Sequence, residues 1–134
     1  MIKDLYNRLA VENTIIPQEF TDEDEVTGET VDIVGFRRIA IAVQLGSLTA
    51  DGITVTLEGQ DEDGDWEEID NDDLIGDIED LEEIEDSDDE TIHKFGLKTG
   101  KYQAVRAIVD ADTNSGAGDV AVTVLKAKKY DEPV

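Results

Sequence analysis

Val and Ile return at every second position in run after run of this chain, and a period of two is the pattern of a half-buried strand, not of a helix. Ile39, Ile41 and Val43 alternate with Ala40, Ala42 and Gln44, and Gly46 is expected to end that run. Ile53, Val55 and Leu57 alternate with Thr54, Thr56 and Glu58, and Val120, Val122 and Val124 alternate with Ala121, Thr123 and Leu125. Gln103, Val105, Ala107 and Val109 alternate with Tyr102, Ala104, Arg106 and Ile108. Both faces of that last run are largely apolar, so it is expected at the centre of a sheet. Weaker runs at residues 11–16, 31–34, 66–69 and 92–97 complete a set of about eight short strands. Their β-branched content and the Gly, Asp and Asn clusters between them predict an all-β fold, an antiparallel β-sandwich or jelly-roll-like barrel.

Helix has little room here. Ile2, Leu5, Tyr6 and Leu9 lie on one stripe and predict a short N-terminal helix of one or two turns. Ile78, Leu81 and Ile84 have similar spacing, but a helix there crowds carboxylates such as Glu79 and Glu83 at i,i+4. A long acidic loop over residues 70–90 is the safer expectation. The whole chain reads as one domain, 1–134, with an N-terminal arm at 1–20, a β core at 21–125 and a tail at 126–134.

Charge then limits the surroundings. The chain carries 35 acids against 11 Lys and Arg, a formal net charge of −24. Nineteen of those acids fall between residues 61 and 90, where there is no Lys or Arg. Such a body repels itself in dilute buffer, and the repulsion fades as the Debye length shrinks to roughly 3 Å near 1 M salt. The expectation is a protein of a salt-loving setting with an unusually acidic loop. Nucleic acid is not an expected partner, because phosphate contacts need clustered cations. No segment has the apolar length of a membrane span, and residues 1–9 are too polar for a signal core. With no cysteine, disulfides and thiolate metal sites are ruled out.

Few residues offer chemistry. Asp61, Asp63 and Asp65 around Gly64 are candidate Ca²⁺ ligands, since alternate oxygen donors at a Gly-assisted turn suit that ion. The glycine falls one position early for the helix-loop-helix pattern, and a hairpin turn accounts for the same residues, so no cofactor is expected beyond that candidate ion. His93 is the single histidine, and Ser47, Ser87 and Ser115 lie in no nucleophile-elbow sequence. No phosphate-cradling glycine motif occurs either, so an enzyme is not expected. Trp66, the single tryptophan, is expected to plug the end of the core, with sugar stacking as the rival role.

The order of segments resembles a family of small virion proteins of tailed viruses. Asp4-Leu5-Tyr6 and then Val31-Asp32-Ile33-Val34-Gly35-Phe36 are similar to that family's opening. The hairpin from Thr56 to Trp66, the Asp73-Leu74-Ile75-Gly76 element, Phe95-Gly96 through Lys101-Tyr102 and Arg106, and the ending from Val124-Leu125 to Pro133-Val134 follow in the same order. Leu97 stands where the family has Tyr, and residues 77–90 are more acidic than its pattern. The resemblance implies a β-sandwich associated with the virion capsid, with the major capsid protein and other virion subunits as partners in a homo-oligomer or symmetric assembly, and no catalytic residues. Ile2, Leu5, Tyr6, Ile15, Ile16 and Tyr130 in the terminal arms are then the candidate interface. Alternatives are a tail or head–tail connector component and a glycan- or host-surface-binding module.

Overall fold

The inward positions of the alternating runs meet from two directions and form one core. A computed structural model describes residues 9–21, 25–48, 53–76, 91–98, 101–111 and 117–127. Ten strands make up the described chain: β1 (Leu9–Thr21), β2 (Glu25–Thr27), β3 (Val31–Asp32), β4 (Arg38–Leu48), β5 (Ile53–Gln60), β6 (Trp66–Glu68), β7 (Leu74–Ile75), β8 (Ile92–Leu97), β9 (Ala104–Ala111) and β10 (Ala117–Ala127). The one helical element among the described residues is a 3₁₀ turn at Asn71–Asp73. None of the helical structure described is long and apolar enough to cross a membrane.

The strands form two antiparallel sheets. Sheet A has the order β1-β10-β4-β8-β7, and sheet B has β2-β9-β5-β6 with β3 also pairing with β9. β9 is interior to sheet B, as its two apolar faces required. The inner face of sheet A presents Ile41, Val43, Leu45, Phe95, Val120, Val122 and Val124. Sheet B answers with Ile53, Val55, Leu57, Val105, Ala107 and Val109, all buried in one cluster. The fold is a β-sandwich, which buries one face of each sheet in a core roughly 10 Å thick.

Departures from period two and close backbone approaches shape it. Residues 9–20, read above as an arm, instead form the edge strand β1, paired with β10 from Leu9 to Thr21. A register shift between Asn13 and Ile15 turns Ile15 inward onto Val122, where it is 1% exposed. The displaced Thr14 is also buried; its hydroxyl donates to the Glu29 carbonyl at 2.7 Å and accepts from the Ala107 N–H at 3.0 Å. That side chain ties the edge of sheet A to sheet B. Bulges and Pro17 on β1 also blunt an edge that would otherwise template pairing with another chain.

Gly46 was expected to end β4, yet the strand continues to Leu48. A Cβ at Gly46 would stand 2.9 Å from that of Asp119, beside the register shift between Gly118 and Val120. The glycine makes room for a bulge and does not stop the strand. Gly59 plays a comparable part inside sheet B, because a Cβ there would lie 2.4 Å from the Tyr102 ring. The expected N-terminal helix and most of the acidic loop fall on residues outside those described.

Candidate functional site

Polar chemistry gathers at the surface and at one end of the sandwich. At the hairpin joining β5 to β6, Asp61 uses one carboxylate oxygen to accept from the backbone N–H groups of Asp63 at 2.9 Å and Asp65 at 3.0 Å. Gly64 closes the turn with φ of 89°, and its N–H donates to the Asp61 carbonyl at 3.0 Å. These bonds account for the Asp-Gly pattern on turn geometry. Among the described residues no group of three or more His, Asp or Glu side chains is placed to hold a metal ion.

Trp66 does not enter the core. It pairs with Gln60, an outward position of β5, so the strand parity sets it on the outer face of sheet B. The core site beneath Gly59 is filled by Tyr102 instead. The Arg106 guanidinium lies 4.0 Å from the centroid of the Trp66 ring, and its Nε donates to Glu58 at 2.8 Å. One face of the indole is thereby covered by a cation from its own chain.

Lys101 sits between Asp73 at 3.1 Å and Glu67 at 3.5 Å, with its ammonium 5.3 Å from the Tyr102 ring centroid. Hydrogen bonding to Asp73, and then to the Tyr102 hydroxyl, holds the Lys101 ammonium above its ordinary value. Burial pushes the Tyr102 hydroxyl up, and donation from Lys101 works against that shift.

The third cation is inside. Lys126 continues the inward file of Val120, Val122 and Val124 and is 6% exposed. Its ammonium donates to the Glu12 carboxylate and to the Asp32 carbonyl at 2.8 Å, and it lies 4.7 Å from the Phe36 ring centroid. Sequence reading placed this lysine in the C-terminal tail. The signal that locates it was the unbroken alternation from Val120, which Lys126 extends by one more inward step.

His93 shares the inward side of β8 with Phe95, and its Nε2 stands 3.4 Å from the Thr91 hydroxyl. Among the described residues no hydrogen bond joins it to a carboxylate. Of the interface candidates, Ile15 is core, while Ile16 is 61% exposed. Ile2, Leu5, Tyr6 and Tyr130 lie outside the described residues.

No protein-family model matches the chain, and no curated protein matches it. Solved structures do. A structure of infectious bursal disease virus Gx strain aligns with 94% of this chain and 34% of that chain at 8% identity, with a TM-score of 0.51. The VP2 subviral particle of infectious bursal disease virus aligns with 94% of this chain and 33% of that chain at 11% identity, with a TM-score of 0.52. The SPBc2 prophage-derived protein YomS aligns over 90% of this chain and 95% of its own at 18% identity, with a TM-score of 0.48. At these identities the two viral alignments establish a shared fold. This chain spans about a third of the length of each.

Proposed function

We propose that this chain is a structural virion protein that decorates or cements the capsid shell of a tailed virus, and that it has no enzymatic role. The observation that carries the reading is the fit of 94% of the chain onto a third of the VP2 chain of a viral subviral particle, with a TM-score of 0.52. The family-like order of segments in the sequence supports it independently. A sandwich whose two sheets share one packed core suits a body whose task is to hold shape between neighbours. The major capsid protein and other virion subunits are its proposed partners.

Net charge of −24 supports a host that lives in concentrated salt. In that reading the acidic surface faces the medium, and the thermal midpoint rises steadily from low salt to about 1 M as repulsion is screened. A midpoint indifferent to salt would remove the halophilic part of the proposal. The virion part is tested on particles released by the organism that carries the gene, by mass spectrometry and cryo-EM. Density for the sandwich on the head shell is the expected result. Finding the chain only in the tail tube, or missing from particles, overturns it.

A further inference from the structure

The outer face of sheet A differs from the rest of this acidic molecule. Strand register sets Val11, Leu125, Ala40, Gly96 and Ile75 side by side in one row that crosses β1, β10, β4, β8 and β7. The row is wholly apolar, and its two ends are well exposed, Val11 at 58% and Ile75 at 68%. Four of the five large hydrophobics exposed among the described residues lie on strands of this sheet: Val11, Ile16, Ile75 and Ile92. A shallow groove lined by Pro17, Gln44, Gly46, Val120 and Ala121, with the Asp119 carboxylate at its rim, continues the face toward its other end.

Among the described residues the charges on this face balance. Arg38 and Lys94 point outward, against Glu19 and Asp119, which sit next to each other at one end. Among the described residues, the outer face of sheet B sets Glu25, Asp32, Glu58, Glu68 and Asp110 against Arg106 alone. For two copies of a chain with net charge −24, sheet A therefore offers the broad face on which they meet with least repulsion.

The row also has a shape. Its large residues are Val11 on β1, Leu125 on β10 and Ile75 on β7, and the small ones, Ala40 and Gly96, lie between them on β4 and β8, with the Ile75 side chain beside Gly96. A two-fold axis along the strands, between β10 and β4, sets Val11 over Gly96 of a second copy and Leu125 over Ala40. The next row then places Asn13 over Lys94, and Asp119 meets Gly46, so no like charges are brought opposite each other. Face-to-face sheets pack in this aligned manner about 10 Å apart.

We infer that this face is an isologous interface, and that the chain forms a two-fold dimer through the outer face of sheet A, promoted by salt. Four strands about 4.8 Å apart and some eight residues long cover roughly 500 Å² per copy. Two copies together reach about 1,000 Å², the lower bound for a specific interface, so the dimer is weak and reversible. The inference stands on sheet register and charge, and it does not depend on the virion reading.

Sedimentation velocity of the full chain from about 0.1 M to 1 M NaCl tests it, since screening is nearly complete at the upper end. A concentration-dependent dimer is expected in high salt. Ala40→Glu, a change at an exposed position, weakens it by at least about tenfold by burying an unpaired carboxylate, while Thr56→Glu on sheet B leaves it intact. Circular dichroism confirms that both variants fold. The chain has no cysteine, so the geometry is read by crosslinking introduced thiols. A mixture of Asn13→Cys and Lys94→Cys chains is bridged by a bis-maleimide about 8 Å long, whereas either variant alone, with thiols roughly 17 Å apart, is not. A monomer at every salt concentration, a dimer sensitive to Thr56→Glu and not to Ala40→Glu, or equal crosslinking of single and mixed variants overturns the inference.

Discussion

Sheet A keeps a cation inside and sheet B keeps one outside, yet the two are built alike. Lys126 meets a carboxylate, Glu12, and an aromatic ring, Phe36; Arg106 meets Glu58 and Trp66. The difference is water. The Lys126 side chain is 8% exposed and that of Arg106 is 24%. A third copy of the device, Lys101 with Asp73 and Tyr102, has a side chain 47% exposed. One arrangement sampled at three depths shows that the partners of a charge do not set what its removal does. The desolvation of whatever is left behind decides that.

The deepest site carries the largest expected effect. Lys126→Ala removes a buried stem whose ammonium lies over the Phe36 ring and leaves the Asp32 carbonyl without its donor, for a loss of about 3 kcal/mol. Lys126→Met restores the stem, and its loss falls to about 1–2 kcal/mol, the part due to the unmet carbonyl and the broken pair. Urea denaturation of both variants reads the difference. If Lys126→Met costs as much as Lys126→Ala, the charge dominates, and the contrast with the outer sheet is wrong in kind.

Arg106→Ala is expected to cost about 1 kcal/mol, because its ion pair is partly screened and its ring contact is half open to water. Arg106→Lys keeps the charge but loses the guanidinium's contact with the Trp66 ring, and it recovers less than half of that loss. As the single tryptophan, Trp66 reports the change directly through its fluorescence. In about 1 M salt the ion-pair share fades and the ring share persists, which separates the two.

How much of this was legible in the sequence follows from the same distinction. The strands with strict alternation, around Ile41, Val55 and Val122, were readable because one buried face dictates period two. β2 and β7 were not, since two or three residues carry no period; they exist because longer neighbours offer them hydrogen bonds. The parity of Ile15 was hidden by the bulge at Thr14, and that of Trp66 by the hairpin register, which assigns it to the same face as Gln60. Both are decided by pairing, which a single strand does not record. Lys126 was misjudged for another reason. Its charge argued for solvent, and only the ring of Phe36, the Glu12 carboxylate and the Asp32 carbonyl, brought in by the fold, make burial tolerable.

The shallowest site gives the smallest effect, and it appears in alkali. Asp73 first, and then Tyr102, raise the Lys101 ammonium above its ordinary value, while burial raises the Tyr102 hydroxyl above its own. In both cases the folded chain holds a proton more firmly than the unfolded chain does. Their contribution is therefore complete below about pH 9, where both groups are protonated in either state, and it drains away as pH rises through 10 and beyond. Wild type and Lys101→Met are accordingly expected to differ by a constant, small denaturation midpoint from pH 7 to 9. The gap narrows as pH climbs to 11 and above, because the lysine in the unfolded chain gives up its proton first. Comparing the two chains at each pH cancels the general repulsion that alkali adds to an already acidic surface. A gap that widened with pH would mean that Lys101 is held by something other than Asp73 and Tyr102, and the gradient from buried to exposed would lose its outer point.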